Sequence, residues 1–184
     1  MERFIIEGGR QLSGTITPSG NKNAALPLLA ATLLTDQQVI LHNIPRIGDV
    51  RTKLTLLQQL GIEIEPRGDN SWVLTAATLS DNDPDAALAR KIRTSILLAG
   101  PLLARRGAVR LPRPGGDMIG RRRLDTHFLA LRGLGASIEV TPTEYVLRAD
   151  RLRGTDLFLD EMSVTATEQA ILGAVLAEGE TTIS

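Results

Sequence analysis

The sequence contains no cysteine and only two histidines. Disulfides and thiolate metal sites are therefore excluded, and a histidine-built metal centre is disfavoured. It also lacks an excess of either charge: 21 lysines and arginines face 21 aspartates and glutamates. No overall field draws such a chain to nucleic acid or to anionic lipid, although a compact anion gripped by a few arginines stays open. Long apolar runs are missing too. The longest, Ala24 to Leu34 and Ile96 to Ala104, fall short of the ~20 residues a membrane-spanning helix needs. The start carries Glu2, Arg3 and Glu7 around Phe4-Ile5-Ile6, without the apolar core of a signal peptide. These absences predict a cytoplasmic protein with no metal, no nucleic-acid partner and no membrane partner. What is present is 184 residues, 42% apolar and 23% charged, enough for one globular domain with an appendage.

Self-similarity organises most of the chain. Val50, Leu54, Leu57 and Leu60 mark one face of an amphipathic helix, and Leu124, Phe128, Leu131 and Leu134 repeat it 74 residues later. The same shift carries Gly61 onto Gly135 and Ile64 onto Ile138. Both helices are predicted to end in a glycine cap and to enter an alternating strand, Ile62 to Glu65 or Ser137 to Val140. Return strands follow at Trp72 to Leu74 and Tyr145 to Leu147. Upstream, helices at Ala24 to Leu34 and Arg93 to Ala104 lead to strands at Val39 to Leu41 and Val109 to Leu111. A third copy, Ser163 to Ala177 leading to Thr182 to Ser184, lacks the second half that the other two possess. The expectation is an α+β protein whose third unit is truncated. Phe4 to Ile6 and Leu12 to Thr17, flanking Gly8-Gly9, read as a hairpin outside the repeat. Ser80 to Asp85 and Arg113 to Gly120 read as exposed loops.

Two motifs could carry chemistry. In Ser19-Gly20-Asn21-Lys22-Asn23-Ala24-Ala25-Leu26-Pro27, a lysine sits at a helix start, where free N–H groups and the helix dipole favour a phosphate or carboxylate. An ordinary solvated helix start would show the same spacing. In Arg113 to His127, three glycines and Asp117 precede Arg121-Arg122-Arg123 at a helix start. Cations there oppose the helix dipole, which hints at an anion that neutralises them, and arginine forks bind phosphate well. Short charge runs are more often solvated faces. Asp117 can serve as a general acid if burial raises its pKa, or can be a turn aspartate beside glycines. Asn23, Arg93 and Ser163 occupy equivalent helix starts, 70 residues apart. Units arranged about a pseudo-threefold axis would gather Lys22-Asn23, Arg93 and Ser163 around one anion.

At these residues the chain resembles the enolpyruvyl transferase superfamily, and within it the UDP-N-acetylglucosamine 1-carboxyvinyltransferases. The resemblance rests on Gly-Asn-Lys-Asn-Ala-Ala-Leu-Pro at 20–27, Asn43-Ile44-Pro45 with Asp49-Val50, and Arg93-Thr94-Ser95. It continues through Pro114-Gly115-Gly116, Ile119-Gly120 with Arg122, Asp125 and His127, and Ser163-Val164. The sibling family acting on shikimate phosphate typically has Ser-Lys-Ser at positions 21–23.

The resemblance implies βαβαββ units in an inside-out α/β barrel lobe spanning 20–184, with the 1–19 hairpin belonging to an absent second lobe. It implies transfer of the enolpyruvyl group of phosphoenolpyruvate to the 3-hydroxyl of UDP-N-acetylglucosamine, releasing phosphate for peptidoglycan synthesis, without cofactor. Lys22 and Asn23 would meet phosphoenolpyruvate. Arg93, Arg122, Arg123, Leu124, Asp125 and Thr126 would meet the UDP-sugar or its phosphates, and Glu161, Met162, Ser163 and Val164 would line the nucleotide side. Lys22 and Arg122 would assist catalysis, with Asp117 as proton donor where the family usually has cysteine; a carboxylate there cannot form the thioether that fosfomycin makes. Arg123 stands where proline is usual, Glu161 where lysine is common and Thr165 where glycine follows Ser-Val. These departures fall on the nucleotide-sugar side, and with the missing lobe they favour the alternative of a non-catalytic nucleotide-sugar-binding or regulatory lobe.

Overall fold

The computed structural model describes residues 3–116 and 123–184. The first unit runs α1 (Lys22–Ala31), a 3-10 turn (Thr32–Leu34), β1 (Gln38–Leu41), α2 (Gly48–Gln59), β2 (Glu63–Pro66) and β3 (Trp72–Thr75). After a short α3 (Ala86–Ala89), the second unit runs from a 3-10 turn (Arg93–Leu98) into α4 (Ala99–Arg106). It continues through β4 (Ala108–Pro112), α5 (Asp125–Gly133), β5 (Ser137–Val140) and β6 (Glu144–Arg148). The third contains β7 (Asp156–Leu157), α6 (Val164–Ala174) and β8 (Thr182–Ile183).

The repeat read from the apolar pattern reappears as register. β1-β3-β2 and β4-β6-β5 are antiparallel three-stranded sheets with the return strand in the centre. Leu74 stands between Val39 and Ile64, and Leu147 stands between Val109 and Ile138. Each of these triplets points one alternating row inward, and Leu74 and Leu147 are fully buried. α2 packs on the first sheet and α4 and α5 on the second, and α6 packs against α1, α4 and α5, so that one core joins the units. Gln169 of α6 is buried there, its amide placed to donate to the Ile96 carbonyl and accept from Gly100 N–H. β7 and β8 pair in parallel with α6 between them. The short β7 is the element the sequence pattern did not suggest, because two residues are too few to establish alternation.

The second unit departs from the expected helix at Arg93 to Ala104, which begins as a 3-10 turn. The Ser95 hydroxyl lies 2.9 Å from the Ala89 carbonyl and 3.0 Å from that of Ile92. Lys53 Nζ donates to the Thr94 carbonyl at 2.9 Å. These side-chain partners hold the first turn against its neighbours rather than against a regular helix continuation.

The hairpin expected before residue 19 is absent: residues 3–19 contain no strand. Phe4, Leu12 and Ile16 are each more than nine-tenths exposed. A two-stranded ribbon with no apolar surface beneath it is marginal in water. The chain enters the body at Gly20, where a side-chain carbon would lie 1.7 Å from the Asn43 carbonyl oxygen.

Gly61 and Gly135 close α2 and α5 with φ of 93° and 100°. Gly61 N–H donates to Gln58 and Ile62 N–H to Leu57, and the pattern recurs from Gly135 to Arg132 and Ala136 to Leu131. This is the paired cap that a left-handed residue permits. Gly61→Ala should lower the unfolding free energy by about 1 kcal/mol or more. Urea denaturation measures it, and a variant as stable as the parent would contradict the assigned cap.

Candidate active site

A cavity of about 370 Å³ opens where the starts of α1, the 93–98 turn and α6 meet; Lys22, Asn23, Asp49, Arg93, Thr165 and Glu168 line it. Val164 and Gly116 also border it. The loop reaches this position because Gly116 N–H donates to the Arg90 carbonyl at 3.2 Å. Lys22 Nζ lies 2.5 Å from Asp49 Oδ2, with both side chains partly exposed. Asn21 Oδ1 accepts from the N–H groups of Asn23 and Ala24, and Ser163 Oγ accepts from Ala166 N–H. Those amides are occupied by caps. The cationic character of the cavity therefore rests on Lys22 and Arg93 more than on bare helix ends.

Two buried residues stand behind the cavity lining, Lys53 bonded to Thr94 and His127 in contact with Thr165; sequence alone does not single out Lys53, and His127 is named only within the resemblance. Lys53 is fully buried, and its ammonium is bonded to Thr94. Burial lowers its pKa to about 7, against the opposing pull of Glu168, whose own pKa burial raises. His127 is the repeat equivalent of Lys53, 74 residues on. Its Nε2 lies 3.0 Å from Thr165 Oγ1, and its buried Nδ1 has no partner among the described residues. Burial first, and Arg93 second, lower its pKa to about 4. Each side chain thus ties the second helix of one unit to the first helix of the next. Lys53 sits three residues after Val50 on the apolar stripe, and that misplaced charge was the available signal.

The other expected site residues divide. Arg93 donates to the Arg123 carbonyl at 2.9 Å, and Arg123 Nε lies 2.5 Å from Asp125 Oδ2. Asp125 above all, then Glu161 and Asp160, raise the Arg123 pKa. The two departures Arg123 and Glu161 thus offset one another in charge. Thr126 donates to Asp160 at 2.8 Å. The Leu124 side chain is buried in the core, so its backbone is what it can offer a ligand. Met162 and Glu161 are exposed. Thr165, the third departure, is explained by its contact with His127. Asp117 and Arg122 lie outside the described residues. No group of three or more potential metal ligands occurs among the described residues, and no helix there is long and apolar enough to cross a membrane.

Residues 6–184 match the family described as EPSP synthase (3-phosphoshikimate 1-carboxyvinyltransferase). The chain belongs to this enolpyruvyl transferase family. Among curated relatives, the UDP-N-acetylglucosamine 1-carboxyvinyltransferase of Bradyrhizobium diazoefficiens is 54% identical, the match covering 97% of this chain and 41% of the relative. That of Treponema denticola is 53% identical over 100% of this chain and 43% of its own. The chain thus spans less than half the length of these relatives. The enolpyruvyl transferase NikO from Streptomyces tendae shares the fold, with a TM-score of 0.80 at 24% identity over 96% of this chain and 41% of its own. EPSP synthase from Acinetobacter baumannii does so with 0.72 at 20% identity, over 93% and 40%.

The unfolded chain protonates a histidine near pH 6.5, whereas His127 in this enolpyruvyl transferase fold stays neutral down to about pH 4. Between these values the unfolded state binds the extra proton, so stability falls as pH drops through that window, by about 3 kcal/mol in total. His127→Gln should flatten this part of the stability profile while retaining the bond to Thr165. An unchanged acid slope in chemical denaturation from pH 7 to 4 would refute the assignment.

Proposed function

We propose that this chain supplies one lobe of an enzyme that transfers the enolpyruvyl group of phosphoenolpyruvate to the 3-hydroxyl of UDP-N-acetylglucosamine. The observation that carries the reading is the gathering of Lys22 and Asn23 from α1, Arg93 from the 93–98 turn and Val164 from α6 around one cavity. The names and identities of the curated relatives support it. The units are related by a pseudo-threefold axis, and the 1–19 segment belongs with a second lobe of the enzyme. The enzyme works in the cytoplasm, in peptidoglycan synthesis and hence in cell-wall growth, cell shape and division, without metal or organic cofactor.

In the reaction, the sugar hydroxyl gives up its proton to solvent as its oxygen adds to C2 of phosphoenolpyruvate, while a proton is delivered to C3. The tetrahedral adduct then loses phosphate and a C3 proton to restore the double bond. Lys22 and Arg93 neutralise the carboxylate and phosphate as charge develops on the adduct. Asp117 delivers and recovers the C3 proton, and Arg122 assists at the phosphate. Arg123, Asp125 and Thr126, with the segment from Glu161 to Val164, border the nucleotide-sugar. The ion pair between Arg123 and Asp125 must open or turn aside for a diphosphate to use that guanidinium.

The chain's 41% coverage of its Bradyrhizobium relative favours a second reading for the isolated chain, a lobe that binds nucleotide-sugar without turnover. Phosphate release with both substrates distinguishes the two. The chain alone should turn over little or not at all, and chain plus the complementary lobe should be active. In that active form Lys22→Ala should reduce kcat/KM at least about 100-fold; retention of parental activity would sink the role. The active form should also resist time-dependent inactivation by fosfomycin, and Asp117→Cys should confer it. Rapid covalent inactivation of the aspartate form would contradict Asp117 as proton donor.

A further inference from the structure

A second cavity, of about 490 Å³, lies between α2 and the first sheet, away from the candidate active site. Pro45, Val50, Leu54, Ile64 and Trp72 form its walls, and Arg46 and Arg51 stand at its rim. The repeat supplies an internal comparison. Trp72 faces Leu41 and Pro66 in the first sheet, and Tyr145 faces Leu111 and Val140 at the same register in the second. Leu54 of α2 corresponds to Phe128 of α5.

In the second unit this space is filled from within. The Phe128 ring packs against Tyr145 with centroids 4.7 Å apart and planes tilted by 60°. The Arg113 guanidinium lies 5.4 Å from the centre of the same tyrosine ring. In the first unit the helix residue is a leucine, and position 43, the counterpart of Arg113, is asparagine. The chain thus withholds both the ring and the guanidinium that complete the equivalent site. Trp72 remains only partly buried, beside a cavity of the size that small ligands use. The rim arginines are exposed and held in place: Arg46 pairs with Asp69 at 3.4 Å, and Arg51 donates to the Arg46 carbonyl at 3.4 Å.

We propose that this cavity is a binding site for a planar aromatic ligand carrying an anionic group, the ring taking the place Phe128 holds in the second unit and the anion meeting Arg46 and Arg51. Apolar walls and a tryptophan face stabilise the ring through area burial and edge-to-face contact. The guanidinium pair orients the anion.

Trp72 is the sole tryptophan, so its fluorescence reports this cavity alone. Phenyl phosphate serves as the probe, titrated into the full chain. The expected result is a saturable change in Trp72 emission, with inorganic phosphate at equal concentration producing none. Leu54→Phe installs the second unit's own ring and should weaken binding at least about tenfold, equivalent to about 1.4 kcal/mol, while denaturation shows a fold at least as stable as the parent. Arg46→Ala with Arg51→Ala alters exposed side chains only and should weaken binding about fivefold or more. It decides the matter even if Leu54→Phe fails to fold. Lys22→Ala should leave the Trp72 titration unchanged, separating this site from the candidate active site. No saturable emission change up to about 10 mM probe, a range corresponding to only about 3 kcal/mol of binding, would overturn the proposal. Unaltered affinity in the double arginine variant would overturn it as well.

Discussion

The bond from Lys53 Nζ to the Thr94 carbonyl joins the first two units behind the lining of the candidate active-site cavity, with Glu168 of the third unit acting on the same ammonium. Lys53 comes from α2 of the first unit, Thr94 from the opening turn of the second, and the opposing charge of Glu168 from α6 of the third. An ammonium buried without a partner would be costly, so the arrangement holds only while the 93–98 turn presents that carbonyl. That turn also carries Arg93. The placement of the principal cation of the second unit thus depends on a buried lysine of the first. His127 and Thr165 repeat the device one unit on, with a neutral ring in place of a charge. Two helices that could slide against their neighbours are thereby fixed where the ligand would bind.

The architecture was largely legible because it repeats. Apolar spacing and glycine caps placed α2, α5 and the strands that follow them, and β5 at Ser137–Val140 coincides with the expected segment. Three features were hidden for separate physical reasons. The 3-10 opening at Arg93 depends on hydrogen bonds from Ser95 and Lys53 that local propensity does not register. The two-residue β7 is defined by its parallel partner 26 positions away in Thr182, not by its own pattern. The segment before Gly20 has the alternation of a hairpin but no surface to lie on, so its apolar residues stay exposed.

For the site, equivalent helix starts predicted the gathering of Lys22, Asn23, Arg93 and Ser163; the cavity is lined by the first three, and Val164 borders it in place of Ser163. The expected source of anion affinity shifted, since Asn21 and Ser163 occupy amides that a bare helix end would present. Side-chain charge carries more of the task. The departures at 123 and 161 bring charges of opposite sign near one another, while the principal partner of Arg123 is Asp125. Thr165 is accounted for by the imidazole it contacts.

The central claim is that three helix starts converge on one anion site with Lys22 and Arg93 as its cations. Backbone amide NMR during titration of this chain with phosphoenolpyruvate tests it most directly. Saturable shifts are expected together at residues 22–24, 93–95 and 163–166, all lost in Lys22→Ala. Shifts confined to one helix start, or scattered over the exposed arginines and unaffected by that substitution, would contradict it.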